Sequence, residues 1–288
     1  MSKRKLLWPA LVTVALFTTV LAVASMRKTL DPKPVKPAPV SSRQNPIITP
    51  TATDQTYVRA AQVWPQLRWH LKMLGDRIEK PGKERINITG TIKRTGDAQA
   101  LPMAVTLEFP DRLRLTVQDG LQQRVVTFNG QAAASVGSAL TARERDFIDT
   151  LAYDTAEHFF ASQTRGTAMR CLGQRFRADD GTTPNYTGPY YDLYEVSDQI
   201  KTAADARQQV KYFYFNSDTL LLERVRYQIV RNGVPVEVET RISNWQQAQG
   251  QQAPRRIVRL ENGQPVMSLT ITSMAIGPRV DDGSFGQQ

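Results

Sequence analysis

Most of this chain alternates apolar with polar residues at a period of two, and this alternation restricts the fold more than any other feature. Met103, Val105 and Leu107 are apolar, with polar or small residues between them. Val225 and Tyr227 continue the same pattern late in the chain. Successive side chains of a strand point to opposite faces, so this period predicts half-buried strands. Antiparallel sheets suit such strands, because one face can remain in water.

Turn sequences separate these strands at short intervals. Asp119-Gly120, Asn232-Gly233 and Asn262-Gly263 are residue pairs that favour tight hairpins. The apolar runs between such turns predict about ten or eleven strands.

Two segments depart from this period. Apolar residues recur at helical spacing over residues 56–74, which predicts an N-terminal helix. Residues 141–161 form a helical insert, in which Thr141 and Glu144 have the spacing of a capping box. A break near Asp149 would divide this insert into two short helices.

Together these elements predict a mainly β fold with helices. A long antiparallel sheet twists and curls, so we expect a strongly curved half-barrel of about ten or eleven strands. The N-terminal helix and the helical insert would cover it. A cavity between sheet and helical lid would suit an apolar ligand. The residues expected to line this cavity are Met103, Val105, Leu107, Leu113, Leu115, Phe147, Leu151, Phe159, Phe213 and Phe215.

Residues 6–26 form an uncharged, largely apolar segment near the N-terminus. A helix of this length just spans a bilayer core of roughly 30 Å. Basic residues flank it on both sides, including Arg27 and Lys28, which favours an uncleaved signal anchor. A cleaved signal peptide is the alternative, with Ala22-Val23-Ala24 as a cleavage site. The first interpretation predicts an inner-membrane anchor with a periplasmic domain, and the second predicts secretion to the periplasm.

The region after this segment is a tether. Residues 29–55 are rich in proline, which favours an extended chain and not a packed core. We therefore expect a membrane segment at residues 1–28, a tether at 29–55 and a β domain at 56–288. Of the net charge of +10, residues 1–40 carry +6, which leaves little basic excess elsewhere. Nucleic acid is therefore not an expected partner.

Nothing in the sequence is typical of an enzyme. There is no G-x-S-x-G motif, phosphate-binding loop or dinucleotide fingerprint. His70 and His158 are the only histidines and Cys171 is the only cysteine. Neither a Ser/His/Asp triad nor a zinc site with nitrogen and sulfur ligands is therefore expected. The sequence predicts no catalytic residue, no metal and no cofactor.

Scattered local patterns also carry a family resemblance. They are an amphipathic segment at residues 63–74, a proline-plus-basic strand at residues 109–115, an Asn129-Gly130 turn and a hairpin at residues 212–222. In this order they resemble the bacterial lipoprotein-carrier fold, the LolA/LolB-like superfamily, over residues 60–285. The resemblance implies a closed half-barrel that binds acyl chains.

These observations predict a membrane-tethered extracytoplasmic domain that binds a lipid or an acylated lipoprotein in an apolar cavity and is not catalytic. Residues 6–26 would hold it to the membrane. The alternative is a structural or scaffold domain of a cell-envelope complex, with a filled core, no ligand and an envelope protein as partner.

Two sets of side chains allow more than one interpretation. Arg255, Arg256 and Arg259 cluster on one predicted strand, either on a solvated face or at a site for an acidic partner or lipid headgroups. Tyr212 and Tyr214 share one face of another strand, where they would be core or a partner surface.

Overall fold

A computed structural model describes most of the chain from residue 84 onward. The described residues are 58–59, 70, 84–109, 112–129, 133–136, 139–162, 168–177, 184–201, 206–280 and 285. The predicted membrane segment and the tether lie outside these residues. Within the described ranges, no helix is long and apolar enough to cross a membrane.

Fifteen strands dominate the described part of the chain. They are β1 Val58–Arg59, β2 Glu84–Arg94, β3 Leu101–Glu108, β4 Arg112–Asp119, β5 Gln122–Phe128, β6 Ala133–Ser135, β7 Ala168–Arg177, β8 Tyr190–Lys201, β9 Ala206–Asn216, β10 Leu222–Arg231, β11 Val234–Ser243, β12 Gln246–Ala248, β13 Gln251–Ala253, β14 Arg256–Glu261 and β15 Gln264–Pro278. The mainly β fold is therefore confirmed.

Thirteen of these strands form one antiparallel sheet, and β12 and β13 form a separate hairpin. The order across the sheet is β1-β7-β8-β9-β10-β11-β14-β15-β2-β3-β4-β5-β6. Its end strands β1 and β6 do not pair with each other, so the sheet is not closed into a barrel. At its centre β2 lies beside β15, with Arg94 opposite Met267 and Glu84 opposite Pro278.

The turns follow from their residues. Asn232 and Gly233 both have positive φ angles, of 52° and 78°, as a two-residue turn of type I′ requires. Asn262 and Gly263 repeat this geometry between β14 and β15. These turns fix the register of the strand pairs β10–β11 and β14–β15, so that the apolar residues of paired strands lie on the same face of the sheet.

Eleven strands have six or more residues, in agreement with the expected number. The unexpected strands β1, β6, β12 and β13 have two or three residues, too few to show a period. The predicted helix over residues 56–74 is wrong at Val58 and Arg59, which pair with β7. His70 is helical, and the rest of that segment lies outside the described residues.

The helical insert consists of α1 (Ala142–Tyr153) and α2 (Ala156–Ser162). The predicted capping box is present, since the Glu144 amide donates to Thr141 Oγ1 at 3.2 Å and the Thr141 amide donates to Glu144 Oε2 at 2.8 Å. The break is not near Asp149 but at Asp154, the C-cap of α1. Thr155 then caps α2, because its Oγ1 accepts a hydrogen bond from the His158 amide at 3.1 Å.

Apolar side chains form three clusters. One joins α1 to β2–β5, β14 and β15, and a second joins α2 to β7–β11. The third contains Tyr191, Leu193, Tyr212 and Tyr214. Tyr212 and Tyr214, which the sequence allowed in the core or at a partner surface, therefore belong to the core. Gly173 has a φ of 140°, and a Cβ there would lie 2.7 Å from the Phe176 ring, so only glycine lets this aromatic pack against the third cluster.

Candidate functional site

Helix α1 contacts two distant parts of the sheet. On one side, Arg124 of β5 donates to Glu144 Oε2 at 2.7 Å. Burial would raise the pKa of Glu144, but hydrogen bonds from Arg124 and Thr141 outweigh it and lower that pKa. On the other side, Arg231 of β10 donates to Asp146 Oδ2 at 2.7 Å. The insert is therefore anchored to both parts by charged groups.

An apolar cavity of about 70 Å³ lies beside α1. Its walls are Ile92, Leu101, Leu115, Val117, Val126 and Phe147, with Arg94, Asp119, Arg124 and Glu144 among the lining residues. This volume exceeds the roughly 10–15 Å³ that one water needs, but it is far below the roughly 300–1,000 Å³ of ordinary ligand pockets. We call this space the apolar cavity.

The ten side chains expected to line a cavity are all buried, with no more than 5% exposed. Seven of them lie together in the cluster under α1, and Leu115 and Phe147 line the apolar cavity. Phe159, Phe213 and Phe215 lie instead in the cluster under α2. The Phe159 ring centroid is 4.9 Å from that of each of the other two, which is ordinary aromatic packing.

A buried charged group fastens the end of α1 to the sheet. The Asp154 carboxylate accepts hydrogen bonds from Lys211, from Tyr227 at 3.0 Å and from Thr240 at 2.6 Å. All four side chains are buried. Burial lowers the pKa of Lys211, and the neighbouring Asp154 opposes that shift.

This buried group is absent from the sequence-based predictions, although one feature of the sequence points to it. Lys211 shares a strand face with Phe213 and Phe215, so a period of two already places a lysine among core aromatics. A charged residue at such a position requires a buried partner. That partner, Asp154, comes from the helical break.

Arg259 is also buried, with 2% of its surface exposed. Its Nη1 donates to Thr150 Oγ1 and to Tyr227 Oη, each at 3.0 Å. The expectation that it lies with Arg255 and Arg256 on a solvated or partner-binding face is therefore wrong for Arg259. Ile257 belongs to the cluster under α1, and Arg259, two residues later on β14, shares its face and so points toward the helix.

A second, polar cavity of about 170 Å³ lies on this side of α1. Its lining residues are Arg94, Thr95, Asp146, Arg231, Arg259, Glu261, Val266 and Met267. Arg231 and Arg259 both donate to Glu261, at 2.6 Å and 3.2 Å. Burial raises the pKa of Asp146, although Arg259 and Arg231 oppose the shift. We call this space the polar cavity.

Asp149, also on α1, makes stability depend on pH. Burial raises its pKa from 3.8 to about 6, a shift opposed by Lys211 and reinforced by Asp154. The folded state then holds a proton that the unfolded chain releases, so stability falls as pH rises from about 4 to about 6. Asp149→Asn should reduce this slope and stabilise the protein at neutral pH by about 1–2 kcal/mol. Urea unfolding across this pH range measures both effects, and an unchanged slope in the variant would contradict the assignment.

His70 lies in a packed environment, with 1% of its surface exposed. Its Nδ1 is 3.2 Å from the Leu220 carbonyl oxygen, and its Nε2 is 3.4 Å from Asp192 Oδ2. Ser217 donates to Asp192 Oδ1 at 2.6 Å, so this hydroxyl contacts the carboxylate and not the imidazole. In a catalytic triad the histidine lies between the hydroxyl and the carboxylate, whereas here the carboxylate contacts both other groups. Ser217 is therefore not placed as a nucleophile activated by histidine. Across the described ranges, no group of three histidine, cysteine or acidic residues is placed to hold a metal.

No protein-family model and no curated protein matches the chain. A solved LolA superfamily protein from Nitrosomonas europaea matches with a TM-score of 0.52 at 13% identity, covering 77% of this chain and 97% of that one. A domain described as an outer membrane lipoprotein-sorting protein, from Vibrio parahaemolyticus, has a TM-score of 0.46 at 7% identity, covering 78% and 95%. At these identities the likeness concerns the fold alone, and this chain has a LolA-like fold.

Proposed function

We propose that this LolA-like domain binds a lipid or an acylated lipoprotein between its sheet and helix α1, without catalysing a reaction. The apolar cavity carries the proposal, because six apolar side chains meet there under one helix. The membrane segment at residues 6–26 would tether the domain, and the segment at 29–55 would hold it in the periplasm.

The contacts of α1 support a half-barrel. Glu144 and Asp146 are two residues apart, yet they bind arginines on β5 and β10. These strands are seven positions apart in the sheet, which would be about 34 Å if the sheet were flat. One helical turn faces both strands only if the sheet curves around it. The insert then acts as a lid on the concave face.

The lid is held differently on its two sides. Toward β9, β10 and β14 it is fastened by buried polar groups, among them Asp154 and Thr150. Toward β4 and β5 it is held by apolar contacts and by the Arg124–Glu144 ion pair. Since the apolar cavity is small, we expect an acyl chain to enter by moving α1 away from β4 and β5.

Val117→Phe tests this function, because the larger ring would fill the apolar cavity. Lipid uptake should fall by at least about tenfold, since each excluded methylene forfeits about 0.8 kcal/mol. The full chain in nanodiscs is irradiated with a photoactivatable fatty acid, and mass spectrometry locates the crosslinks. We expect crosslinks in β4, β5 and α1.

Val117→Ala is the matched control, since it enlarges the cavity and should keep the crosslinks. A wild-type chain crosslinked solely within residues 6–26 would contradict lipid binding by the domain.

One observation favours the scaffold alternative. Phe159, Phe213 and Phe215 fill the space under α2, so that part of the interior is packed core. Crosslinking of the full chain in cells separates the two functions, because a stoichiometric envelope protein without bound lipid would support a scaffold.

A further inference from the structure

Arg94 lies at the end of β2 and lines both the apolar and the polar cavity. Its Nε donates to Asp97 Oδ2 at 2.9 Å, and its backbone amide donates to the same oxygen at 2.9 Å. These two hydrogen bonds hold the Nε end of the guanidinium in place. Within the part of the chain that the structure describes, no residue accepts a hydrogen bond from its two terminal nitrogens. The side chain is 27% exposed, so a ligand can reach it.

Arg94 differs from the other two arginines of the polar cavity, because the carboxylates that line the cavity do not bind it. Three arginines line the cavity against two carboxylates. Arg231 binds both carboxylates, and Arg259 also donates to Glu261. Asp97, the partner of Arg94, lines neither cavity. Arg94 is thus held through Nε by an acid outside the cavity, and its two terminal nitrogens remain available to a ligand.

We infer that Arg94 is the headgroup site of the lipid pocket, and that the ligand is an anionic amphiphile whose phosphate or carboxylate binds its terminal nitrogens while its chain enters the apolar cavity. This inference rests on the proposed function. A guanidinium presents paired donors that match these two anions. Leu101 and Ile92 lie in the same cavity wall, so the apolar chain starts beside the charged group.

The other charged residues around the apolar cavity favour this placement. Glu144 accepts from both Nε and Nη2 of Arg124, whereas Asp97 accepts from Nε alone of Arg94, so Arg124 is the poorer site for an anion. Asp119, at the end of β4, repels negative charge from that part of the lining. An anionic headgroup is therefore directed toward β2 and the polar cavity.

Arg94→Gln tests the inference in the full chain held in a nonionic amphipol. Dodecyl phosphate, dodecanol and inorganic phosphate are compared by the rise in melting temperature across a concentration series. We expect wild-type protein to bind dodecyl phosphate at least about tenfold more tightly than dodecanol, because hydrogen bonds to charged groups are strong. Arg94→Gln should remove this preference, so that the variant binds dodecyl phosphate no more tightly than dodecanol.

Lys93→Gln is the matched control, since it removes the same charge from the neighbouring, exposed residue, which lines neither cavity. Lys93→Gln should keep the preference for dodecyl phosphate over dodecanol.

Arg94→Lys keeps the charge without the paired donors and should retain only part of this preference, which separates recognition from a folding defect.

The outcomes distinguish the two proposals. Equal binding of dodecyl phosphate and dodecanol, or a preference that survives Arg94→Gln, overturns the headgroup site but leaves lipid binding intact. Inorganic phosphate that binds as tightly as dodecyl phosphate overturns the amphiphile and assigns the site to the free ion. Binding of neither amphiphile contradicts the proposed function itself.

Discussion

Replacing Lys211 with methionine should lower the free energy of unfolding by about 3–5 kcal/mol, because it leaves the Asp154 carboxylate buried without its cation. Tyr227 and Thr240 would still donate to that carboxylate, but neither carries a charge. The loss should loosen the junction between α1 and α2, where Asp154 lies. Urea unfolding of the full chain, followed by far-ultraviolet circular dichroism, measures the change.

Arg175→Met is the matched control for an ion pair at the surface. Arg175 lies 3.6 Å from Asp218, and both side chains are more than half exposed. Its loss should cost less than about 1 kcal/mol. Adding Asp154→Asn to Lys211→Met should restore part of the stability, since it removes the unpaired charge. Equal losses for Lys211→Met and Arg175→Met would mean that the buried pair does not fasten the insert.

Phe159→Ala should also be costly, by about 3–5 kcal/mol, because it opens a cavity among closely packed rings. Phe159 is completely buried and contacts Tyr194, Phe213 and Phe215. It does not line the apolar cavity, so lipid uptake should survive under conditions in which the variant is folded. Urea unfolding and fatty-acid crosslinking, done side by side, measure the two effects.

Leu121→Ala serves as the control, since Leu121 is fully exposed at the turn between β4 and β5 and its replacement should change stability by less than about 0.5 kcal/mol. A Phe159→Ala variant that stays as stable as this control would show that the space under α2 is not packed core. Loss of uptake in a folded variant would extend the ligand site toward α2.

Most strands, hairpins and helix ends could be predicted from the sequence, because short patterns of residues determine these local structures. Alternation gave the long strands, and Asn232-Gly233 and Thr141 marked a hairpin and a helix start. Strands of two residues, such as Val58–Arg59, depend on a partner strand far along the chain and show no period of their own. The break at Asp154 depends likewise on contacts with β9, β10 and β11.

Less of the candidate site than of the fold could be predicted from the sequence. Apolar positions such as Leu115 and Phe147 could be assigned to the interior, since period and burial go together. Which of them border empty space depends on how sheet and helix fit, and alternation carries no information about that. Arg94 ends an ordinary strand, and its importance comes solely from its place between two cavities.

The pairing of β2 with β15 has a consequence for how the protein is made. These strands are neighbours near the centre of the sheet, yet residues 95–263, about three fifths of the chain, separate them. Contacts between such distant residues form slowly, because a long loop must close first. During synthesis, β2 to β5 are made long before β15, the strand that joins them to β7–β14. The whole sheet therefore requires β15, and we expect a chain that stops before β15 to leave two separate sheets with exposed edges.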